Sequence, residues 1–457
     1  MKEILKRAEE LTGFARENLE LAERDETYVK NRALEILQGV EGEELSEEET
    51  DEVFGVLSLL PSAMDERFAE ILKNDGSRAA TDWLYNYCVH NEYVKKAKLD
   101  KNPRFESNGL IITINKAKPE FRDPKKAKAG NSVEGGFAQC VICRENEGFG
   151  ARNKRNLRTV SITLGGQPWF WQYSPYGYFH EHGIAVNCEH IPMHVDKGTF
   201  TRLMDFVDLF PHYFIGCNAP LPRIGGSVLA HDHYQGGGEI LPMHKAKAVY
   251  TLKNKAYLDT ILEVVDWAGT VVRAVSKNRR SIEDICGAIN EKWVHYNDLA
   301  IGIIAEDKDG VHNAISPTVV KTERGYEMSV ILRSNITSEQ YPDGIFHAHP
   351  EFHVIKKESI GLIEAQGLFI LPGRLDEELA AVERFIDEKK PLLPGYTSFR
   401  LVYDETKAIC EKEKIDAHSA MKQELGSICS RILENTAVFK DKKQTVRFVE
   451  ELGFTLC

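Results

Sequence analysis

The chain has 457 residues, enough for two or three average domains, and its 42% apolar and 28% charged residues are typical of a soluble globular protein. A net charge of −12 argues against a basic surface for nucleic acid. The sequence contains no run of about 18 apolar residues, so no membrane span is predicted. The charged N-terminus lacks the apolar core of a signal peptide. Nine cysteines, an odd number spread along the chain, favour reduced thiols and a cytoplasmic location over a disulfide framework.

Hydrophobic periodicity predicts the secondary structure in chain order. Helical spacing predicts helices within residues 1–40, 199–214 and 257–277, and along most of the chain after residue 374. The acidic run 41–52 is typical of a solvated loop or helix face. Apolar, β-branched runs predict strands within residues 109–120, 158–190, 300–307, 326–334 and 360–373. Strands interleaved with helices, without a regular βαβ period, favour an α+β fold.

Histidines are concentrated in one part of the chain: eight of the 15 lie between residues 180 and 244. In an extended segment His231 and His233 point to the same face, because side chains alternate with a period of two. The glycines that flank this pair allow the backbone to approach a ligand, and consecutive N–H groups there can bind phosphate. A neutral imidazole in such a site is a candidate nucleophile toward phosphorus. The alternative is a glycine-rich turn with two half-exposed histidines.

The segment around this pair, GCNAPLPRIGGSVLAHDHYQGG, resembles the active-site segment of the class II UDP-glucose–hexose-1-phosphate (galactose-1-phosphate) uridylyltransferases, which belong to the histidine-triad superfamily. Six further stretches resemble the same class and follow in the family's order between about residues 28 and 375: YVKNRALEIL, GLIITINKAKPE, CVICRENEGF, QYSPYGYFHEH, EHIPM and DGIFHAHPEFHVIKKESIGLIEAQGLFILPGRL. The resemblance therefore covers most of the chain.

The resemblance implies an enzyme that moves UMP between UDP-glucose and galactose-1-phosphate, with UDP-galactose and glucose-1-phosphate as products. The reaction would be ping-pong, with His233 as the nucleophile that forms a uridylyl-histidine intermediate and Gln235 bonding the phosphoryl oxygens. Phosphate contacts are further expected from loop positions and basic residues, namely Asn218, Gly226, Ser227, Arg144, Arg152, Arg158, Lys356 and Lys357. For each basic residue the alternative is a solvated surface side chain.

Cys140 and Cys143 have the spacing of half a zinc knuckle. The resemblance implies that His190 and His231 complete a structural zinc site, with His194 as a rival to His190. Two buried thiols or a thiol redox pair are the alternatives. The resemblance also suggests a second metal, iron or zinc, held by a set that we name the second ligand set: His312, His347, His349 and Glu239. The alternative is that His347 and His349 line the sugar-phosphate pocket or hydrogen-bond within the core.

The fold implied is α+β, with two histidine-triad-like lobes of antiparallel sheet, flanking helices, and helical N- and C-terminal regions. We expect residues 1–240 to form the nucleotidyl-transfer lobe and residues 241–457 the lobe with the second His-x-His pair. A homodimer without organic cofactor is the family expectation. The competing function is a histidine-triad hydrolase or phosphorylase of dinucleoside polyphosphates, which would use the same histidine. A scaffold that binds metal without catalysis would have lost His233 or Gln235, and both are present.

Overall fold

The computed structural model describes residues 2–40, 44–116, 136–226 and 228–457. The helices in these ranges are α1 Lys2–Asn18, α2 Glu26–Leu37, α3 Glu47–Leu57, α4 Pro61–Asn74, α5 Ser77–His90, α6 Lys96–Leu99, α7 Lys197–Leu209, α8 Arg279–Val294, α9 Leu362–Ala365, α10 Leu375–Asp387, α11 Arg400–Glu413, α12 Ala417–Thr436 and α13 Lys442–Glu450. None of these helices is both long enough and apolar enough to cross a membrane.

The strands are β1 Arg104–Ser107, β2 Leu110–Asn115, β3 Val160–Leu164, β4 Gln167–Tyr173, β5 Gly183–Asn187, β6 Phe214–Gly216, β7 His233–Gly237, β8 Ala248–Lys253, β9 Thr260–Val265, β10 Val271–Ser276, β11 Glu306–Asp307, β12 Gly310–Val311, β13 Asn313–Thr322, β14 Gly325–Ser334, β15 Leu368–Pro372 and β16 Thr455–Leu456. Eleven of them form one sheet in the order β16-β8-β9-β10-β14-β13-β6-β7-β5-β4-β3. The mixture of helices with a large antiparallel sheet confirms the α+β prediction.

Two five-stranded halves of this sheet repeat one topology. In the first half the strand order is β3-β4-β5-β7-β6, and in the second it is β8-β9-β10-β14-β13. In each half a three-stranded meander is followed by a helix and then by two long-range partner strands. The second of these two strands pairs with the last strand of the meander: β7 with β5, and β14 with β10. The halves join where β6 pairs with β13, through Gly216 with Thr318 and Ile215 with Val319. A lobe boundary at residue 240 stays a prediction, and the position of this repeat supports it.

The two faces of the large sheet are covered differently. Helices α7 and α8 bury their apolar sides on one face, where Trp171 contacts Phe206 of α7. We call this the helix face. The opposite face is partly covered by the small sheet β1-β2-β15, in which β2 and β15 are parallel. Phe214 and Val320 of the large sheet share an apolar cluster with Ile370 of β15. We call this second face the ligand face, because His233 and Gln235 lie on it.

Most sequence-based elements are present, but the helix predicted within residues 257–277 is wrong. The structure has β9, a turn and β10 there, and the helix of this half is α8. The apolar residues of the stretch are largely β-branched, which fits a pleated sheet better than a helix. Within residues 300–307 the predicted strand is limited to the two-residue β11, and the stretch begins with the end of the 3₁₀ turn Leu299–Ile301. The strand predicted within 360–373 begins instead with the short helix α9 before β15.

The acidic run 41–52 contributes the start of a helix. Ser46 caps α3: its hydroxyl accepts from the Glu49 N–H, while the Glu49 carboxylate accepts from the Ser46 N–H. Residues 44–50 are exposed or half-buried, as a solvated helix face requires, but Asp51 is buried and accepts from the Lys95 ammonium group at 2.8 Å. Residues 41–43 lie outside the described ranges.

Candidate active site

Strand β7 places His233 and Gln235 side by side on the ligand face. The strand pairs with β5, where His233 lies opposite Val186 and Gln235 opposite Ile184. The residue between them, Tyr234, points to the helix face and stacks on Trp169 with ring centroids 4.7 Å apart. A strand buried on both faces thus anchors two polar side chains through the aromatic residue between them.

His233 is held as a neutral imidazole. Its side chain is 5% exposed, and its Nδ1 lies 2.8 Å from the backbone carbonyl oxygen of His231. Because a carbonyl oxygen only accepts, Nδ1 carries the proton and Nε2 keeps its lone pair. Burial lowers the pKa of His233 below its usual 6.5. The side chain is therefore an uncharged nucleophile at neutral pH.

Gln235 is oriented by a residue that the sequence analysis did not single out. His182 places its Nε2 3.4 Å from the Gln235 Oε1, and its ring stacks on Tyr178. Burial lowers the pKa of His182 to about 4, so the ring is neutral and its Nε2–H can donate to the amide oxygen. The amide nitrogen of Gln235 then remains as a donor for a ligand. His182 was missed because the pairing of β5 with β7 cannot be inferred from periodicity.

The loop between β6 and β7 carries the predicted phosphate positions. Asn218 is buried, and its Oδ1 accepts from the backbone N–H of Leu362 at 2.9 Å. Its Nδ2 has no hydrogen-bond partner in the described part of the chain. A Cβ at Gly226 would lie 2.8 Å from this nitrogen, so a side chain there would collide with it. Asn218 and Gly226 are thus brought together, whereas Ser227 lies outside the described residues.

Four side chains form a compact cluster beside His233. Cys140, Cys143, His190 and His231 place one ligand atom each within 4.8 Å of one another. His194, the rival to His190, is half-exposed and lies outside this cluster, with its Nδ1 3.3 Å from the Pro192 carbonyl oxygen.

The donor set and its spacing fit a tetrahedral metal ion. The two Sγ atoms are 3.4 Å apart, and the His231 Nδ1 lies 3.3 Å from the Cys140 Sγ and 3.6 Å from the Cys143 Sγ. Zinc with two sulfur and two nitrogen ligands has donor atoms roughly 3.3–3.8 Å apart. The His231 Nε2 donates to the Asn187 carbonyl at 2.8 Å, which leaves Nδ1 as the free donor atom. Without a metal, burial raises the pKa of Cys140 to about 12.

The second ligand set is not brought together. The zinc-type cluster is the one group of metal-ligating atoms of this closeness within residues 2–40, 44–116, 136–226 and 228–457. Glu239 forms an ion pair with Arg104, and the His312 Nε2 lies 2.9 Å from the Asp307 carboxylate. The His347 Nδ1 hydrogen-bonds the backbone carbonyl of Ala348, and the His349 Nε2 hydrogen-bonds that of Ile345. The alternative use of these two histidines, within the core or at a pocket, agrees better with these contacts.

The predicted basic residues have different surroundings. Arg152 ends the 3₁₀ turn Gly150–Arg152 and donates to the Ala138 carbonyl beside the cysteine cluster. Arg158 is buried, and its hydrogen bonds within the described ranges all go to backbone carbonyls. Lys357 is exposed, while its neighbour Lys356 is 1% exposed and paired with Glu364 at 2.9 Å. Contact of Lys357 and Arg152 with substrate stays a prediction.

Two family models match most of the chain. The family model described as "Galactose-1-phosphate uridyl transferase, N-terminal domain" matches residues 8–192, and the corresponding C-terminal domain model matches residues 206–387. A solved structure of yeast Ap4A phosphorylase aligns with 72% of this chain and 92% of its own, at 13% identity and a TM-score of 0.36. A structural likeness of that size does not bear on activity.

Close relatives share the sequence over most of its length. A galactose-1-phosphate uridylyltransferase of Bifidobacterium longum is 57% identical over 411 residues, which cover 88% of this chain and 79% of the relative. One of Clostridium acetobutylicum is 40% identical, covering 83% of this chain and 79% of its own. Galactose-1-phosphate uridylyltransferase 1 of Streptococcus pneumoniae is 34% identical, covering 94% and 96%. The chain belongs to the galactose-1-phosphate uridylyltransferase family.

Proposed function

We propose that this chain transfers UMP from UDP-glucose to galactose-1-phosphate through a covalent uridylyl group on His233. The observation that carries the proposal is the state of His233: a buried, neutral imidazole whose Nδ1–H is bound by the His231 carbonyl, so that Nε2 can attack. Gln235 on the same face supplies an amide donor for the phosphoryl oxygens, and family membership names the substrates.

The reaction is a double displacement at one phosphorus. The Nε2 lone pair attacks the α-phosphorus of UDP-glucose, and the bond from that phosphorus to the bridging oxygen breaks, which releases glucose-1-phosphate. A phosphate oxygen of galactose-1-phosphate then attacks the same phosphorus and expels the His233 nitrogen, forming UDP-galactose. As His233 gains positive character, the His231 carbonyl stabilises its Nδ1–H, while Gln235 and Asn218 donate to the developing charge on oxygen.

We propose further that the cysteine cluster holds one zinc ion with a structural task. Cys140, Cys143, His190 and His231 would be its ligands, and the ion would tie the segment around Cys140 to the start of β7. Because the His231 carbonyl accepts from His233, a fixed His231 also fixes the orientation of the nucleophile.

Two expectations about the protein as a whole also remain proposals. A cytoplasmic location is supported by the nine cysteines, none of which forms a disulfide in the structure. A homodimer is inferred from the family resemblance alone.

An exchange experiment tests the proposed function. The enzyme is incubated with UDP-glucose and isotopically labelled glucose-1-phosphate, without galactose-1-phosphate. A ping-pong enzyme incorporates the label into UDP-glucose, because the uridylyl enzyme reacts with either sugar phosphate. Exchange that requires galactose-1-phosphate would contradict the covalent route. Slow release of UMP without exchange, together with cleavage of a dinucleoside polyphosphate, would favour the hydrolase alternative.

A further inference from the structure

A buried arginine on the ligand face has hydrogen-bond donors that no group in the described residues satisfies. Arg333 lies near the end of β14 and is 1% exposed. Its Nη2 donates to the Ile360 carbonyl oxygen at 2.7 Å. Its Nε and Nη1 are also buried, and neither has a hydrogen-bond partner among the described residues. A buried guanidinium that is left in this state costs free energy, since its hydration is lost without compensation.

Two other buried arginines show what compensation looks like in the same protein. Arg273, on the neighbouring strand β10, donates to Glu263 and to the carbonyls of Ala246 and Met243. Arg158 donates to four backbone carbonyls. Arg333 has one carbonyl. The carboxylate whose charge acts on it, that of Glu364, is already bound by Lys356 at 2.9 Å.

The register of the large sheet puts Arg333 on the same face as the nucleophile. Residues directly opposite each other in antiparallel strands share a face, and one such row runs across the junction of the halves through Gln235, Gly216, Thr318 and Ser329. Arg333 is four residues from Ser329 on β14 and so points the same way. Strands β7 and β14 are three steps apart, about 14 Å. The four-residue step from Ser329 to Arg333 adds about 13 Å along β14, so the Cα atoms of Gln235 and Arg333 are roughly 19 Å apart, a gap that two long side chains and a ligand between them can span.

Other hydrogen-bond donors without a partner in the described structure lie between Gln235 and Arg333. The segment that accepts from Arg333 at Ile360 also donates from the Leu362 N–H to Asn218, whose Nδ2 is unpartnered. Ser316 of β13, on the same face, is fully buried with an Oγ that has no partner in the described structure. Nitrogen and hydroxyl donors from both halves therefore face one region, and the ligand that would satisfy them is an anion with several oxygen acceptors.

We propose that Arg333 binds the phosphate of the hexose-1-phosphate, donating from Nε and Nη1 to its oxygens. This assignment rests on the proposed function. The same phosphate is the β-phosphate of bound UDP-glucose, the phosphate of departing glucose-1-phosphate and that of entering galactose-1-phosphate. Arg333 is thus a substrate-binding residue of the second half, while bond breaking takes place at His233 in the first half. The uridylyl group itself is held without Arg333.

The test compares two fates of the uridylyl enzyme. The enzyme first reacts with UDP-glucose to form the uridylyl enzyme, and the released glucose-1-phosphate is removed. The uridylyl group is then transferred either to galactose-1-phosphate or to water, which has no phosphate to bind. For Arg333→Gln we expect the galactose-1-phosphate concentration for half-maximal discharge to rise about ten- to a hundredfold. Hydrolysis by water should proceed at the wild-type rate. Arg273→Gln is the matched control: its thermal midpoint should fall, but its half-maximal concentration should not change.

The outcomes separate the two proposals. A folded Arg333→Gln enzyme with unchanged half-maximal concentration, or with hydrolysis reduced as much as transfer, would overturn the assignment. If Arg333→Gln does not fold, a crystal structure of the wild type with galactose-1-phosphate decides: phosphate oxygens within hydrogen-bond distance of Nε or Nη1 support it, and a phosphate bound elsewhere overturns it. If the wild type forms no uridylyl enzyme, the proposed function fails, and calorimetric binding of glucose-1-phosphate to both proteins tests Arg333 alone.

Discussion

The two halves of the large sheet have one topology and different connections. In the first half, residues 217–232 link β6 to β7 and lead into His233. In the second half, the equivalent strands β13 and β14 are joined by a tight hairpin in which Thr322 pairs with Gly325. The second half therefore has no counterpart of the loop that ends in the nucleophile. Its polar contribution, Arg333, comes from the strand itself.

This difference separates chemistry from binding within a repeated fold. One half holds the nucleophile, its orienting carbonyl and the cysteine cluster, while the other offers donors across the junction at Gly216 and Thr318. The second His-x-His pair, at His347 and His349, follows β14, whereas His231 and His233 lie at the start of β7. The two pairs are therefore not topological equivalents.

The largest effect is expected from the first half at the nucleophile. His233→Ala removes the attacking nitrogen, and we expect the transfer rate to fall by at least about four orders of magnitude. The isolated variant should keep the wild-type circular dichroism and thermal midpoint. Label exchange between glucose-1-phosphate and UDP-glucose measures the rate. Residual exchange within a hundredfold of wild type would require another nucleophile.

A smaller loss is expected from the neighbouring donor. Gln235→Ala removes an amide that stabilises charge on the phosphoryl oxygens, so exchange should slow by about 100- to 1000-fold. His182→Ala removes the group that orients this amide and should slow exchange less than Gln235→Ala does. A larger loss in His182→Ala than in Gln235→Ala would mean that His182 does more than orient this amide. Steady-state and single-turnover rates of the two variants make the comparison.

Metal removal should affect the first half through His231. Elemental analysis should find one zinc ion per wild-type chain, and Cys143→Ser should lose it. Because His231 orients His233, we expect exchange to slow by roughly ten- to a hundredfold. Cys217→Ser is a control, since this buried thiol lies outside the cluster. Full zinc retention in Cys143→Ser would contradict the assigned ligands.

The smallest effect on catalysis is expected from core residues on strands that are remote from the junction of the two halves. Leu164 of β3 and Leu262 of β9 are fully buried in the same apolar core. Replacing either with alanine should lower the free energy of unfolding by about 2–5 kcal/mol. The exchange rate per folded molecule should stay close to wild type. Denaturant titration checks the loss of stability, and a rate measurement under native conditions checks the activity. A large rate loss would link β3 or β9 to the site.

What could be predicted from sequence depended on how far apart the interacting residues are. The shared face of His233 and Gln235 follows from local alternation, and the cysteine cluster from motifs that resemble a known family. Arg333 and His182 could not be predicted, because their roles come from strand pairing between distant segments. The error within residues 257–277 had a local cause: its apolar spacing fits a helix, while its β-branched residues pack in a hairpin.

The most direct test of the account is to locate the covalent intermediate. Enzyme is mixed with UDP-glucose alone, quenched at alkaline pH, and examined by intact mass and by peptide mapping, while released glucose-1-phosphate is assayed in parallel. We expect one uridylyl group per chain, carried by His233, with an equal amount of glucose-1-phosphate released. A uridylyl group on any other residue, or turnover with galactose-1-phosphate but no covalent intermediate on wild-type enzyme, would contradict it.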